Sequence, residues 1–157
     1  MGSAVVNIEK TILRNLLRNE DYVRKVIPFL KDDYFTVQED RAVFSEIRDF
    51  LNKYNKAPTY DALMIEVESQ RGLKDDQVKN IHETINDFRK DDSETNIDWL
   101  IDSTEKFCQN KAIYHAMTSS LEIMQGEKNS LDLGAIPKLL PLSTFPTHYK
   151  LCLCLIS

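Results

Sequence analysis

From Asn96 to Gln125 the chain carries neither Gly nor Pro, and Leu100, Phe107, Tyr114 and Leu121 recur every seven residues. Ile97 precedes this series, and Met117 and Met124 follow its last two members by three. Steps of three and four keep side chains on one face of a helix, so the spacing predicts one long helix with an apolar stripe. Asn96 suits the cap that opens it and Gly126 the residue that closes it. At about 1.5 Å per residue such a helix is roughly 40–45 Å long, more than a small domain covers end to end. Part of the stripe is therefore expected to pack outside the globular core, on another helix of this chain or of a partner. Thr104, Lys111 and Thr118 fall where a strict coiled coil would place a second apolar row. That pattern argues against a long zipper and for an antiparallel hairpin with a short return helix at 132–140.

The rest of the chain reads as shorter helices. With only four Gly and five Pro in 157 residues, there is little turn vocabulary. Asn7 is a cap candidate for a helix over 7–18 whose apolar face is Ile8, Ile12, Leu13, Leu16 and Leu17. Asn19-Glu20-Asp21 caps a second, short helix limited by Pro28. Tyr34-Phe35 is an apolar anchor before a helix over 39–55, where Val43, Phe44, Ile47, Phe50, Leu51 and Tyr54 keep helical spacing. Thr59 caps the next helix, with Tyr60, Leu63, Met64, Ile65 and Val67 apolar and Gly72 as the residue just past its end. Leu73 to Asp76 reads as a turn. Val78, Ile81, Ile85 and Phe88 mark a further helix over 77–88, and residues 89–95 a charged loop. No stretch alternates as a strand would. The fold class is all-α: a small helical bundle over 7–95, followed by a long helix forming a helical hairpin over 96–140.

The two ends are set apart. Residues 1–6 read as a disordered N-terminus or cloning scar. Residues 141–157 contain no acidic residue but hold two of the five prolines and two of the three cysteines, Cys152 and Cys154. They read as a non-native tail, frameshifted or vector-encoded. No apolar segment follows the N-terminus as a signal peptide requires, and no run is long enough to span a membrane. A cytoplasmic location is expected.

Chemistry is sparse. The sequence contains no G-x-x-x-x-G-K-[ST] phosphate cradle, no H-E-x-x-H and no G-x-S-x-G nucleophile turn. His82, His115 and His148 do not combine into a metal site, and neither His82 nor His115 is preceded by the Glu that a di-iron bundle needs at three residues back. Glu66 with Glu68, and Asp91 with Asp92, read as solvated charge. Cys108 reads as a buried thiol. Basic residues are interrupted by acids, and the net charge of −5 speaks against strong direct binding of DNA. No catalytic, cofactor-binding or metal-binding residues are assigned. The candidate functional residues are Leu100, Phe107, Tyr114, Met117, Leu121 and Met124, as hairpin or interface positions.

Four stretches, in this order and spacing, carry a resemblance: L-L-R-N-E-D-Y-V-R-K-V-I-P-F-L-K-D-D-Y-F (16–35), V-F-S-E-I-R-D-F-L-N-K-Y-N-K-A-P-T-Y-D-A-L (43–63), W-L-I-D-S-T-E-K-F-C-Q-N-K-A-I-Y (99–114) and D-L-G-A-I-P-K-L-L (132–140). The chain resembles the N-terminal domain of DnaB-type hexameric replicative DNA helicases, and within them the form found in tailed phages of the T-even kind. The resemblance implies a bundle followed by a hairpin that pairs between subunits to build a collar, in the setting of DNA replication and the primosome. It implies self-association as a dimer or higher oligomer, with primase and the helicase loader as further partners. ATP and magnesium are implied for the motor domain, which is expected to be missing here, leaving a chain without helicase activity. An independent helical accessory protein, such as a loader or adaptor, is the alternative; it would bind single-stranded or forked DNA by itself. An enzyme with an unrecognised site is the third class.

Overall fold

A computed structural model describes residues 7–70 and 72–124, the side chain of Ile123 excepted. The expectations that fall on residues 1–6, on Gly126, on the return helix at 132–140 and on the tail at 141–157 lie outside the described residues.

Six α-helices run in order: α1 (Ile8–Arg18), α2 (Glu20–Val26), α3 (Gln38–Tyr54), α4 (Tyr60–Ser69), α5 (Asp75–Lys90) and α6 (Ile97–Met124). Two single 3-10 turns, Ile27–Phe29 and Asp32–Tyr34, lie between α2 and α3. Among the described residues there is no strand, and the class is all-α. No described helix is long and apolar enough to cross a membrane.

The starts of the helices follow local chemistry. Asn7, Asn19, Thr59 and Asn96 each accept a backbone N–H of the helix that follows, from Glu9, Tyr22, Ala62 and Trp99. Each supplies an acceptor to one of the donors that a helix start leaves unpaired. Asn55 closes α3 in the left-handed region at φ 53°, a conformation that asparagine tolerates better than most residues. Pro28 sits in the first turn of a 3-10 segment, where its missing N–H costs nothing.

Three boundaries differ from the sequence expectation. α4 stops at Ser69 on an extended cap, Gln70, so Gly72, at φ 110°, serves the turn beyond and is not the first residue past the helix. α5 starts at Asp75, inside the expected turn, because two acidic residues favour a helix start and the Gln77 side chain accepts the Lys74 N–H. It also runs on to Lys90, so the loop before α6 is shorter than expected.

The contacts divide the chain into two compact units, Met1–Cys108 and Gln109–Ser157. In the first unit α3 lies between α1, α4 and α5. Its core holds Ile12, Leu13 and Leu16 of α1, Tyr22 and Val23 of α2, Val43, Phe44 and Ile47 of α3, Leu63 and Val67 of α4, and Ile81, Ile85 and Phe88 of α5. Tyr34 and Phe35 are buried anchors, with Phe35 stacked on Phe44 at 4.7 Å between ring centroids. Ile65, read as apolar face, points outward instead and is 65% exposed. It stands about 200° from Leu63 on the helix, opposite the buried Leu63–Val67 side. In the second unit the described part is the remainder of α6, residues 109–124.

Candidate functional site

The candidate residues all lie on α6, so the site begins with what holds that helix. In the loop before it, Arg14 of α1 binds the Asp91 carboxylate, the Ser93 hydroxyl and, at 2.8 Å, the Thr95 hydroxyl. Arg18, one turn along α1, donates to the Phe88 carbonyl and to the Tyr60 hydroxyl, both at 2.7 Å. Two arginines that look scattered in the sequence thus tie α1 to the end of α5 and to the loop that launches α6. Hydrogen bonds from Ser93, followed by the charge and hydrogen bond of Arg14, hold the Asp91 carboxyl below the ordinary carboxylate range.

The first three turns of α6 belong to the core. Leu100 is fully buried and Phe107 and Cys108 are buried. Phe107 packs edge-on to Tyr34 at 6.4 Å and against Phe35 at 6.1 Å. Thr104, read from the sequence as a gap in the apolar row, is only 1% exposed. Its hydroxyl donates to the Leu100 carbonyl at 2.7 Å and, having only one proton, accepts the Tyr22 hydroxyl at 2.7 Å. Burial pushes the Tyr22 phenol upward, against the pull of that bond. Burial likewise pushes the Cys108 thiol up to about 12, with Glu105 adding to it, which leaves an inert structural sulfur.

Beyond Cys108 the side chains turn outward. Tyr114, Met117, Leu121 and Met124 are 65%, 57%, 56% and 67% exposed. The heptad arithmetic explains part of this change. A seven-residue step falls about 20° short of two full turns on a straight helix. The row from Leu100 to Leu121 therefore drifts by about 60°, and Met117 and Met124 lie further round in the same sense. The six candidates are thus two groups: Leu100 and Phe107 are core, and the other four form an outward apolar face. Ile113, exposed and four residues before Met117, belongs with them. The sequence signal for it is its spacing of four residues to Met117 and eight to Leu121, although it stands outside the heptad row.

One cleft in the first unit, of about 470 Å³, is lined by Glu68 of α4 and by Asp75, Val78, Lys79, His82, Glu83 and Asn86 of α5. His82 Nε2 stands 3.7 Å from Glu68 Oε1. Among the described residues no group of three His, Cys, Asp or Glu side chains is placed to hold a metal ion.

The described residues thus define a helical domain whose conspicuous outer feature is an apolar helix face. A family model, the DnaB-like helicase N terminal domain, matches residues 3–102. That is most of the chain, and the chain belongs to this family. It is similar to a DnaB-like replicative helicase of Enterobacteria phage T4, with 27% identity over 139 residues, a match that covers 82% of this chain and 28% of that helicase. The chain therefore spans little more than a quarter of its relative's length.

Proposed function

We propose that this chain is a non-catalytic assembly domain of a phage replicative helicase, and that it self-associates through the outward face of α6. The observation that carries this reading is the run of Tyr114, Met117, Leu121 and Met124, each more than half exposed on one helix. Exposed apolar area of this kind is a recurrent mark of protein interfaces. Membership of the DnaB-like N-terminal family and likeness to a replicative helicase support a setting in DNA replication, in this reading within the host cytoplasm. In this reading the domain's work is geometric: pairing of helices between copies holds subunits in a collar. Unwinding, with ATP and magnesium, belongs to a motor domain of the whole helicase, and primase and the helicase loader meet the assembled collar. The hairpin over 96–140, with a return helix at 132–140, is part of this proposal.

Sedimentation of the full chain tests it. Tyr114→Asp and Leu121→Asp each place a charge on the outward face, where a solvated carboxylate costs the folded monomer little and burial against a partner costs much. The expected result is a lower mass than the parent at equal concentration, with the helical circular dichroism unchanged. Variants that keep both the parent's mass and its concentration dependence would overturn the reading.

A further inference from the structure

Asp40 is the third residue of α3, a helix whose cap residue Val37 offers no side-chain acceptor. The approach to α3 is held from across the core. Glu9 of α1 accepts the Thr36 N–H at 2.9 Å and the Thr36 hydroxyl at 3.0 Å. Glu9 and Asp40 are both buried where α1 packs on α3, yet their situations differ. Both oxygens of the Glu9 carboxylate are engaged. Asp40 is 0% exposed, and among the described residues neither of its oxygens meets a hydrogen-bond donor.

Among the described residues, the charged groups that act on Asp40 are Lys10 and Glu9 from α1 and Glu39 from its own helix. One cation against two carboxylates does not favour a third negative charge. An ionised carboxylate stripped of water and left without a donor is among the costliest groups a core can hold, and such a group neutralises instead. The α3 N-terminus favours negative charge, but only by the modest amount of a helix dipole. Burial first of all holds the Asp40 carboxyl above the ordinary range; Lys10 pulls it down, and Glu9 and Glu39 push it up again.

We propose that Asp40 is a folding-linked proton-binding site: it enters the α1–α3 junction as a neutral carboxylic acid, so that the junction tightens as the solution becomes more acidic. The proton comes from solvent on folding and returns to it on unfolding. The sign follows from linkage. A carboxyl raised in the folded state contributes stability that is fully present below its unfolded value and is lost as pH rises through the raised value.

Thermal melts of the full chain test this between about pH 4, near the unfolded carboxyl value, and about pH 8. Asp40→Asn keeps the shape without the charge, and Asp40→Leu removes the polar group. The expected result is that Asp40→Asn melts above the parent at the basic end by several degrees, with the gap closing toward the acidic end. Glu46, also raised by burial, adds a slope of the same sign to both proteins, so the reading is the difference between them. Carbon-13 titration of the parent's aspartate carboxyls should show one that ionises above the ordinary range and is absent in Asp40→Asn. A gap that stays constant with pH, or an Asp40 carboxyl that titrates at or below the ordinary value, would overturn the proposal. So would failure of both variants to fold at every pH, because the charge itself would then be required.

Discussion

Residues 97–108 and 109–124 are one continuous helix of similar composition, and they have opposite fates. The first segment buries Leu100, Thr104, Phe107 and Cys108; among the described residues of the second, none is buried. The difference lies in what reaches the helix. Tyr22 comes to Thr104 and the Tyr34–Phe35 pair to Phe107. A repeat of apolar residues states that a face exists. Which turns of that face are core is decided by residues far away in the sequence.

The largest effect that could break this comparison is a pair of truncations. Phe107→Ala removes a ring that touches Tyr34 and Phe35, and a core Phe→Ala costs about 3–5 kcal/mol. Leu121→Ala removes a side chain that is more than half exposed, and such surface changes stay within about 0.5 kcal/mol. Urea unfolding at concentrations where the chain is monomeric should show these unequal losses. Equal losses would mean that the outward face is packed within the single chain.

A smaller effect sharpens the role of the loop that launches the buried segment. Arg14→Met keeps the stem and removes the donors to Asp91, Ser93 and Thr95. Hydrogen bonds to charged groups contribute about 1.5–3 kcal/mol. The loss should sit at the lower end, because Asp91 is half exposed and water can replace the guanidinium. It should also depend on pH in a definite sense. The Asp91 carboxyl is held low in the folded state, so its contribution is present above the ordinary carboxylate value and fades as pH falls through the lowered one. The gap between parent and Arg14→Met in urea titrations should narrow in acid.

Much of this architecture was legible in the sequence, and the physical range of each interaction says why. The caps at Asn7, Asn19, Thr59 and Asn96 act within three residues, so residue type and spacing sufficed. The helical faces with their buried Ile12, Val43, Ile47, Ile81 and Ile85 follow from a 3.6-residue period. Long-range pairings left no such trace. Arg14 looked like one of several scattered cations, because its three partners lie more than seventy residues on. Asp40 stands beside Glu39 at a helix start, where nothing local tells it from a solvated acid, and its burial comes from tertiary packing of α3. Ile65 showed the limit of apolar counting in α4, where three neighbouring apolar residues cannot all face inward. At the candidate site the sequence carried the stripe but not its division into Leu100 and Phe107 on one side and the four outward residues on the other.

Two threonines make the finest test of the comparison. Thr104 and Thr118 sit fourteen residues apart on α6, and each hydroxyl donates to the carbonyl four residues back, Leu100 at 2.7 Å and Tyr114 at 3.0 Å. This local bond is a mild cost or a neutral feature of helices, so losing it alone should matter little in either place. What differs is the second partner. The Thr104 oxygen also accepts the buried Tyr22 hydroxyl, whereas Thr118 is partly exposed and water can serve it. Thr104→Val conserves shape but leaves the Tyr22 hydroxyl buried without an acceptor, which costs about 1–3 kcal/mol. Thr118→Val should stay within about 0.5 kcal/mol. Adding Tyr22→Phe to Thr104→Val removes the stranded hydroxyl and should recover part of the loss, because replacing both partners by apolar groups is close to neutral. Equal effects of the two threonine changes, or a double variant no better than Thr104→Val, would show that the Tyr22 bond does not distinguish the buried turns of α6 from the exposed ones.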